Sequence, residues 1–296
     1  MILAVSGRTD IVAFYMSRFM KRYEEGFLDV RNPFNPKLVN RIGFEDVDLI
    51  FFTTKNPKNL INNIKKIKHP IYVHVTLTGY GNDIETYVPN KDEIIEDIIK
   101  VSKIIGPDRI VVRYDPIFIS DKYTAKYHVK MFNRLCERLD GYVNKYLISF
   151  LDEYKNVIKN KNILKYKTMN EDDYRTIGEG FAEAAKKHNA TVQTCFEERD
   201  LTEFGFIKGD CLSKELAYHL TGKTFKGTWK ARKGNLCNCI PMVDVAAYNT
   251  CLHFCKYCYA NYDEKEVRRN IHYHDENSSL LLGHLEDEDV IKYRKD

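Results

Sequence analysis

Short apolar runs alternating with amphipathic stretches organise this 296-residue chain. Met1 to Val5 reads as a buried strand, and Ile11 to Glu25 as an amphipathic helix. Phe27 to Arg31 predicts a short strand ahead of the turn Asn32-Pro33-Phe34-Asn35-Pro36. Asp48 to Thr53 predicts a strand that ends in Thr54-Lys55-Asn56-Pro57, and Leu60 to Lys68 a helix. Ile71 to Thr78 alternates and stops at Gly79-Tyr80-Gly81-Asn82. A helix from Lys91 to Ile105 is closed by Gly106-Pro107. Arg109 to Tyr114 is a strand closed by Asp115-Pro116, Thr124 to Leu139 a helix, and Val143 to Phe150 the next strand. Asp172 to His188 predicts a helix, and Ala190 to Cys195 and Met242 to Tyr248 predict strands.

Such repeats of strand, polar loop and helix predict an α/β fold with a largely parallel sheet. Neither GxGxxG nor GxxxxGKS occurs, so the signal of a dinucleotide or nucleotide-triphosphate fold is missing. The expectation is a TIM-like (βα) barrel, complete or partial. Its body spans residues 1–204. Over residues 205–296 the periodicity weakens and glycine, lysine and cysteine dominate, and this cysteine-rich portion is expected to complete the barrel.

Composition narrows the setting. No run approaches the roughly 18 apolar residues of a membrane span, so no membrane partner is expected. Met1 to Val5 is too short for a signal peptide and Asp10 follows early, which predicts a cytoplasmic location. The net charge of +4 permits a nucleic-acid partner without arguing for one.

Eight cysteines in a cytoplasmic chain rarely mean disulfides. Cys136 lies alone in the helical run Asn133 to Leu139 and reads as a core thiol, whereas the other seven fall between Cys195 and Cys258. Such crowding signals metal. Cys251-Leu252-His253-Phe254-Cys255-Lys256-Tyr257-Cys258-Tyr259 has CxxxCxxC spacing, which suits a [4Fe–4S] cluster with one iron left to another ligand. A structural zinc site is the alternative. Cys195, Cys211, Cys237 and Cys239 form a second set, able to close a zinc site or to ligate an auxiliary [4Fe–4S] cluster. In another arrangement Cys239 becomes the fourth ligand of the Cys251 cluster and closes its open iron. His253 reads as a spacer, and His272 and His274 lack a third partner for a metal.

Ligands of parallel α/β barrels sit at the carboxyl ends of the strands. Here those ends carry Ser6-Gly7-Arg8-Thr9-Asp10, Thr54-Lys55-Asn56-Pro57, Thr76 and Thr78, Arg113-Tyr114-Asp115-Pro116, Ser149 with Asp152-Glu153, and Cys195 with Glu197-Glu198. A mouth in which Arg8, Lys55 and Arg113 face Asp10, Asp115 and Asp152 suits a zwitterionic or phosphorylated ligand. Taken singly, several have plainer roles, Thr9 and Asp10 as helix caps and His74 as a core histidine.

The cysteine nonapeptide resembles the cluster loop of radical S-adenosylmethionine (SAM) enzymes, among them spore photoproduct lyase, a DNA-repair enzyme. The resemblance implies an open iron that binds the amino and carboxylate groups of SAM, and a cluster electron that cleaves it to a radical. Across the whole chain, Ser6 to Asp10, Val30 to Pro36, Thr54 to Pro57, Arg113 to Pro116, Tyr248 to Asn261 and His274 to Gly283 resemble the successive signatures of the domain-of-unknown-function 1848 family. Radical SAM domains place their cysteine loop after the first strand, whereas here it follows the last. A circularly permuted barrel reconciles the two if Met242 to Tyr248 lies beside Met1 to Val5.

The leading expectation is a radical SAM-like enzyme. Cys251, Cys255 and Cys258 hold its catalytic cluster, and Cys195, Cys211, Cys237 and Cys239 an auxiliary one. Arg8, Asp10, Lys55, Arg113 and Asp115 contact SAM or substrate, with Ser6, Gly7 and Tyr257 beside the cofactor. Expected partners are an electron donor such as flavodoxin or ferredoxin and a substrate, either a small molecule or a nucleic acid stacked on Lys256-Tyr257 and Lys145-Tyr146. The alternatives are a non-catalytic binding protein stabilised by zinc or a closed cluster, and a barrel hydrolase or lyase using Asp115, Asp152 or Glu197.

Overall fold

The computed structural model describes residues 1–195, 197–228 and 239–295. In chain order it begins with β1 (Ile2–Val5), α1 (Ile11–Phe14), α2 (Met16–Glu25), β2 (Phe27–Arg31), β3 (Leu38–Gly43), β4 (Leu49–Thr54) and α3 (Lys58–Ile61). There follow β5 (Ile71–Thr76), α4 (Lys91–Ile105), β6 (Ile110–Ile117), α5 (Ala125–Arg138), β7 (Lys145–Phe150), α6 (Lys155–Lys159), α7 (Lys161–Leu164), α8 (Glu171–Lys187) and β8 (Thr191–Thr194). The last third adds β9 (Ile207–Lys208), α9 (Lys214–Thr221), β10 (Val243–Asp244), α10 (Glu264–Ile271) and β11 (Val290–Tyr293).

Eight strands form one parallel sheet in the order β10-β1-β4-β5-β6-β7-β8-β9. From β4 to β9 each strand lies beside its predecessor in the chain, so the sheet is wound in one direction rather than two. The complete barrel is not formed, because the sheet stays open with β10 at one edge and β9 at the other. Both edge strands are two residues long, too short to bring a full ladder around to the opposite edge. A second sheet pairs β2 antiparallel and β11 parallel to β3.

Side chains alternate across the large sheet, as the pleat requires. Leu3, Val5, Ile50, Phe52, Val73, Val75, Val112 and Tyr114 pack under the helices, where Ile94, Ile98, Phe132, Leu135, Ile177 and Phe181 meet them. Phe132 and Phe181 stack at 3.9 Å between α5 and α8. On the other face, Ile2, Leu49, Phe51, Tyr72, Val111 and Leu147 are covered by Leu212, Ala217 and Leu220, in and just before α9, and by Ile240 ahead of β10. Both faces are therefore buried, the usual condition of a parallel sheet. The helices start on side-chain caps: Asn90 for α4, Thr124 for α5 and a capping box of Asn170 with Asp173 for α8.

The expected helix from Ile11 to Glu25 is interrupted at Tyr15, and that from Leu60 to Lys68 is replaced by the short α3 and a 3₁₀ turn over Ile64–Lys66. The strand expected over Met242 to Tyr248 shrinks to β10. That remnant pairs in parallel with β1, Leu3 opposite Val243 and Ala4 opposite Asp244. The region 205–296 thus supplies a strand to each edge of the sheet.

Candidate functional site at the strand ends

The cysteine loop leaves β10 at the carboxyl end of the sheet and is held from several sides. Tyr15 donates its hydroxyl to the Thr250 carbonyl at 2.7 Å, and Asn261 Nδ2 donates to the Cys251 carbonyl at 2.7 Å. Asn156 Nδ2 reaches the carbonyls of Cys258, Tyr259 and Asn261, and Asn160 Nδ2 that of Lys256. The loop after β5 adds a strand-like contact: Glu85 bridges Cys255 in antiparallel fashion, and the Tyr87 and Lys256 amides donate to the His253 and Ile84 carbonyls. The Ala260 amide points at the Cys258 sulfur from 3.3 Å. As free thiols these cysteines are held protonated, because burial pushes all three up, Cys255 to about 12 despite the nearby Lys55 cation.

Beside Cys255 lies a buried charge cluster. Glu85, 1 % exposed, accepts at Oε1 from Lys55 Nζ at 2.7 Å, from the Thr78 hydroxyl at 2.9 Å and from the Tyr257 hydroxyl. Its Oε2 accepts from Lys91. Burial alone would raise the Glu85 carboxyl, but the two ammonium groups hold it well below the usual carboxylate range. Burial likewise opposes charge on Lys55, and Glu85 outweighs it, so Lys55 stays raised. Thr78 and Lys91 also line a cleft of about 350 Å³ between the loop after β5, α4 and α5.

Asp10 anchors the loop to the first strand end. Its Oδ2 accepts from His253 Nε2 at 3.0 Å, the Thr54 hydroxyl at 3.0 Å and the Lys55 amide at 2.8 Å, while Oδ1 caps α1 through the Ala13 amide. Ser6 holds a left-handed φ of 97° and accepts the Ile11 amide on its hydroxyl. Gly7 donates its amide to Asp244 Oδ1 at 3.2 Å and accepts the Tyr259 hydroxyl on its carbonyl. Arg8 pairs with Asp244 Oδ2 at 2.7 Å and lies over the Tyr248 ring.

Further along the sheet, Arg113 and Asp115 form a salt bridge at 2.5 Å that faces the second cysteine set. Cys195 and Cys211 sulfurs lie 2.8 Å apart, the Cys211 amide donates to the Cys239 sulfur at 3.2 Å, and Arg113 Nη1 donates to the Cys211 sulfur at 3.4 Å. Cys237 lies outside the described residues. Asp115 also acts on Lys55 through its charge, which links the two cysteine regions. Glu197 accepts the Phe150 amide at 2.9 Å, and burial pushes its carboxyl up to about 8. As placed, no three His, Cys, Asp or Glu side chains among the described residues enclose a single metal ion.

The fold therefore gathers Cys251, Cys255, Cys258, Lys55, Asp10 and Tyr257 in one place, stitches Ser6, Gly7 and Arg8 to Asp244, and sets Arg113 and Asp115 against Cys195, Cys211 and Cys239. Sequence reasoning missed Glu85, Lys91 and Asp244 and took His253 for a spacer. Asp244 alone had a signal, as the one charged residue in the run Met242 to Tyr248.

Fold and site define an α/β protein with a singly wound parallel sheet and two cysteine groups near its strand ends. The family model described as "Domain of unknown function (DUF1848)" matches residues 2–260, and the chain belongs to that family. No curated protein and no solved structure matches it. Among the described residues no helix is long and apolar enough to cross a membrane.

Proposed function

We propose that this protein is an iron–sulfur enzyme of the radical SAM type, with Cys251, Cys255 and Cys258 as the protein ligands of its catalytic [4Fe–4S] cluster. What carries the reading is the strand order. Counted across the sheet rather than along the chain, β10 comes first and β1 second, and the remaining strands follow in sequence. The cysteine loop thus follows the spatially leading strand, the position it has in radical SAM domains, and this order supports the reading of a circularly permuted partial barrel. The donor set suits the cluster: three thiols share one loop, and a backbone amide is already aimed at the Cys258 sulfur.

When bound, such a cluster supplies the electron that cleaves SAM. The chain's own part is to bind, to orient and to keep charge in balance. The Lys55 cation, fixed by Glu85, acts on the Cys255 sulfur and favours negative charge there. Asp10 fixes the loop through His253 and holds the Thr54-Lys55 strand end in register with it. Arg113 and Asp115, paired with each other and with Asp115 in electrostatic reach of Lys55, offer opposite charges to a zwitterionic ligand.

The test is the reduced EPR spectrum of anaerobically purified protein with and without SAM, alongside iron, sulfide and zinc counts. A [4Fe–4S] signal that changes with SAM, and SAM cleavage that falls by at least about 100-fold in Cys255→Ala, are expected, since each tenfold is only about 1.4 kcal/mol of barrier. Zinc without iron, a cluster indifferent to SAM, or unchanged cleavage in the variant overturns the reading.

A further inference from the structure

We propose that Cys195, Cys211 and Cys239 hold a second, thiolate-bound metal centre on the face of the sheet that α9 covers. The proposal is independent of the reading of the Cys251 loop. The three thiols come from three separate turns, after β8, after β9 and ahead of β10, so no local sequence constraint forces them together. They nevertheless converge, with Cys195 in contact with Cys211 and the Cys211 amide on the Cys239 sulfur.

Their surroundings mix apolar and charged groups: Cys195 and Cys211 pack with the apolar cluster on that face, and charged side chains meet the same sulfurs. Cys136, fully buried, lies in the apolar core between α5 and the sheet, where burial holds it protonated with a pKa pushed up to about 12. The interior set instead faces two cations. Arg113, locked by two hydrogen bonds to Asp115, donates to the Cys211 sulfur. Lys145 projects into the same region, within electrostatic reach of all three sulfurs and of Asp210. Both cations are half-buried and favour negative charge on sulfur, whereas contact with the other two sulfurs and burial push the free Cys195 thiol up. The ring of His74 meets the same Arg113 Nη1 that reaches Cys211, with Nδ1 3.5 Å from it and a fully buried Nε2 that has no hydrogen-bond partner.

The sulfur spacing fits this chemistry after a small movement. At 2.8 Å, Cys195 and Cys211 are well beyond the roughly 2.05 Å of a disulfide bond. Two thiolates on one tetrahedral ion, with bonds of about 2.3 Å, stand about 3.8 Å apart. A side-chain rotation that parts the sulfurs by about 1 Å reaches that distance. Zinc and an iron–sulfur cluster share this ligand chemistry, and the experiment separates them.

The test uses the full chain purified anaerobically, as wild type, as the triple variant Cys251→Ala/Cys255→Ala/Cys258→Ala, and as Cys211→Ser. The triple variant is expected to keep one centre's worth of metal: iron with matching acid-labile sulfide for a cluster, zinc without sulfide for a single ion. Cys211→Ser is expected to lose that amount while any signal from the Cys251 loop persists. Should the triple variant fail to fold, the loss in Cys211→Ser, with circular dichroism unchanged, decides the matter. Alkylation followed by mass spectrometry provides a second readout, in which Cys211 reacts only after a chelator or denaturant is added. A metal-free triple variant that is folded, metal content unchanged in Cys211→Ser, or a Cys195–Cys211 peptide lighter by two hydrogens overturns the proposal.

Discussion

His128 shows how burial and hydrogen bonding together set a protonation state. The ring is fully buried between Tyr80, Tyr114, Tyr123 and Tyr127. Nε2 lies 3.0 Å from the Phe118 carbonyl, which can only accept, so Nε2 carries the proton and Nδ1 accepts from the Tyr114 hydroxyl at 3.0 Å. Both nitrogens are satisfied in the neutral form. Burial lowers the pKa to about 4, against a weaker opposing pull from the Phe118 carbonyl. Because the folded value lies below the unfolded one, the stabilisation is complete above about pH 6.5 and is lost as pH falls towards about 4, roughly 3 kcal/mol in all. Urea midpoints of wild type and His128→Phe measured at pH 7 and 4.5 check this, and the variant's loss across that interval should be smaller by most of that amount. Parallel losses would show that His128 titrates alike in both states. None of this was legible in Lys126-Tyr127-His128, and the same holds for Glu85. Isolated polar residues in ordinary contexts acquire partners only when distant loops meet, as Lys55, Thr78, Lys91 and Tyr257 meet at Glu85.

Elements were legible in proportion to how much apolar surface they bury. β4, β5, β6 and β7 and helices α4, α5 and α8 stand within a few residues of their predicted bounds, because each places a strict period against the large core. β11, exposed along its whole length, and β9, only two residues long, carried no such period. The polar α10 buries only Val267 and was missed for the same reason. The pairing of β10 with β1 was foreseen from the cysteine loop, but its cause lies in side chains that the alternation did not reveal. Gly7 makes the junction: a β-carbon there would stand 2.6 Å from Asp244 Oδ2, so only glycine lets its amide reach that carboxylate. Gly7→Ala is expected to displace Asp244 from both Gly7 and Arg8 and to cost about 1–3 kcal/mol, read as a lower thermal midpoint. In an Asp244→Ala background the same change should cost less by at least about 0.5 kcal/mol, the signature of a direct contact. Strict additivity would mean that the strain lies elsewhere.

At the scale of the molecule, the open sheet leaves its β10 and β1 end to be secured by the chain that follows the cysteine loop. That segment crosses back over α2, and Arg18 holds it there. Arg18, 3 % exposed, donates from Nε to the Ser278 and Leu280 carbonyls and from Nη2 to the Ser279 carbonyl. Burial lowers its pKa to about 10, so it remains charged at neutral pH. The Asp29 amide donates to the same Ser279 carbonyl, and β11 continues the attachment along β3. Tyr15 joins this clamp to the site, packing edge-on against His274 while its hydroxyl holds the Thr250 carbonyl ahead of Cys251. Leu280 and Leu281 are buried at the turn, so the segment is fastened by a few strong points rather than by a broad face. Arg18→Met keeps much of the apolar stem but takes the Arg18 donor from the Ser278 and Leu280 carbonyls and leaves Ser279 only the Asp29 amide, at a cost of about 1–3 kcal/mol for each carbonyl that water cannot reach. Local opening of the segment then becomes easier than global unfolding. Amide exchange over residues 276–283 should accelerate about 10- to 100-fold, corresponding to roughly 1.4–2.8 kcal/mol of local stability. The strands β4 to β7 should keep their wild-type protection. Hydrogen–deuterium exchange read by mass spectrometry distinguishes the cases. Acceleration confined to the segment identifies Arg18 as a local clamp, and acceleration spread evenly through β4 to β7 would make it instead part of the global core.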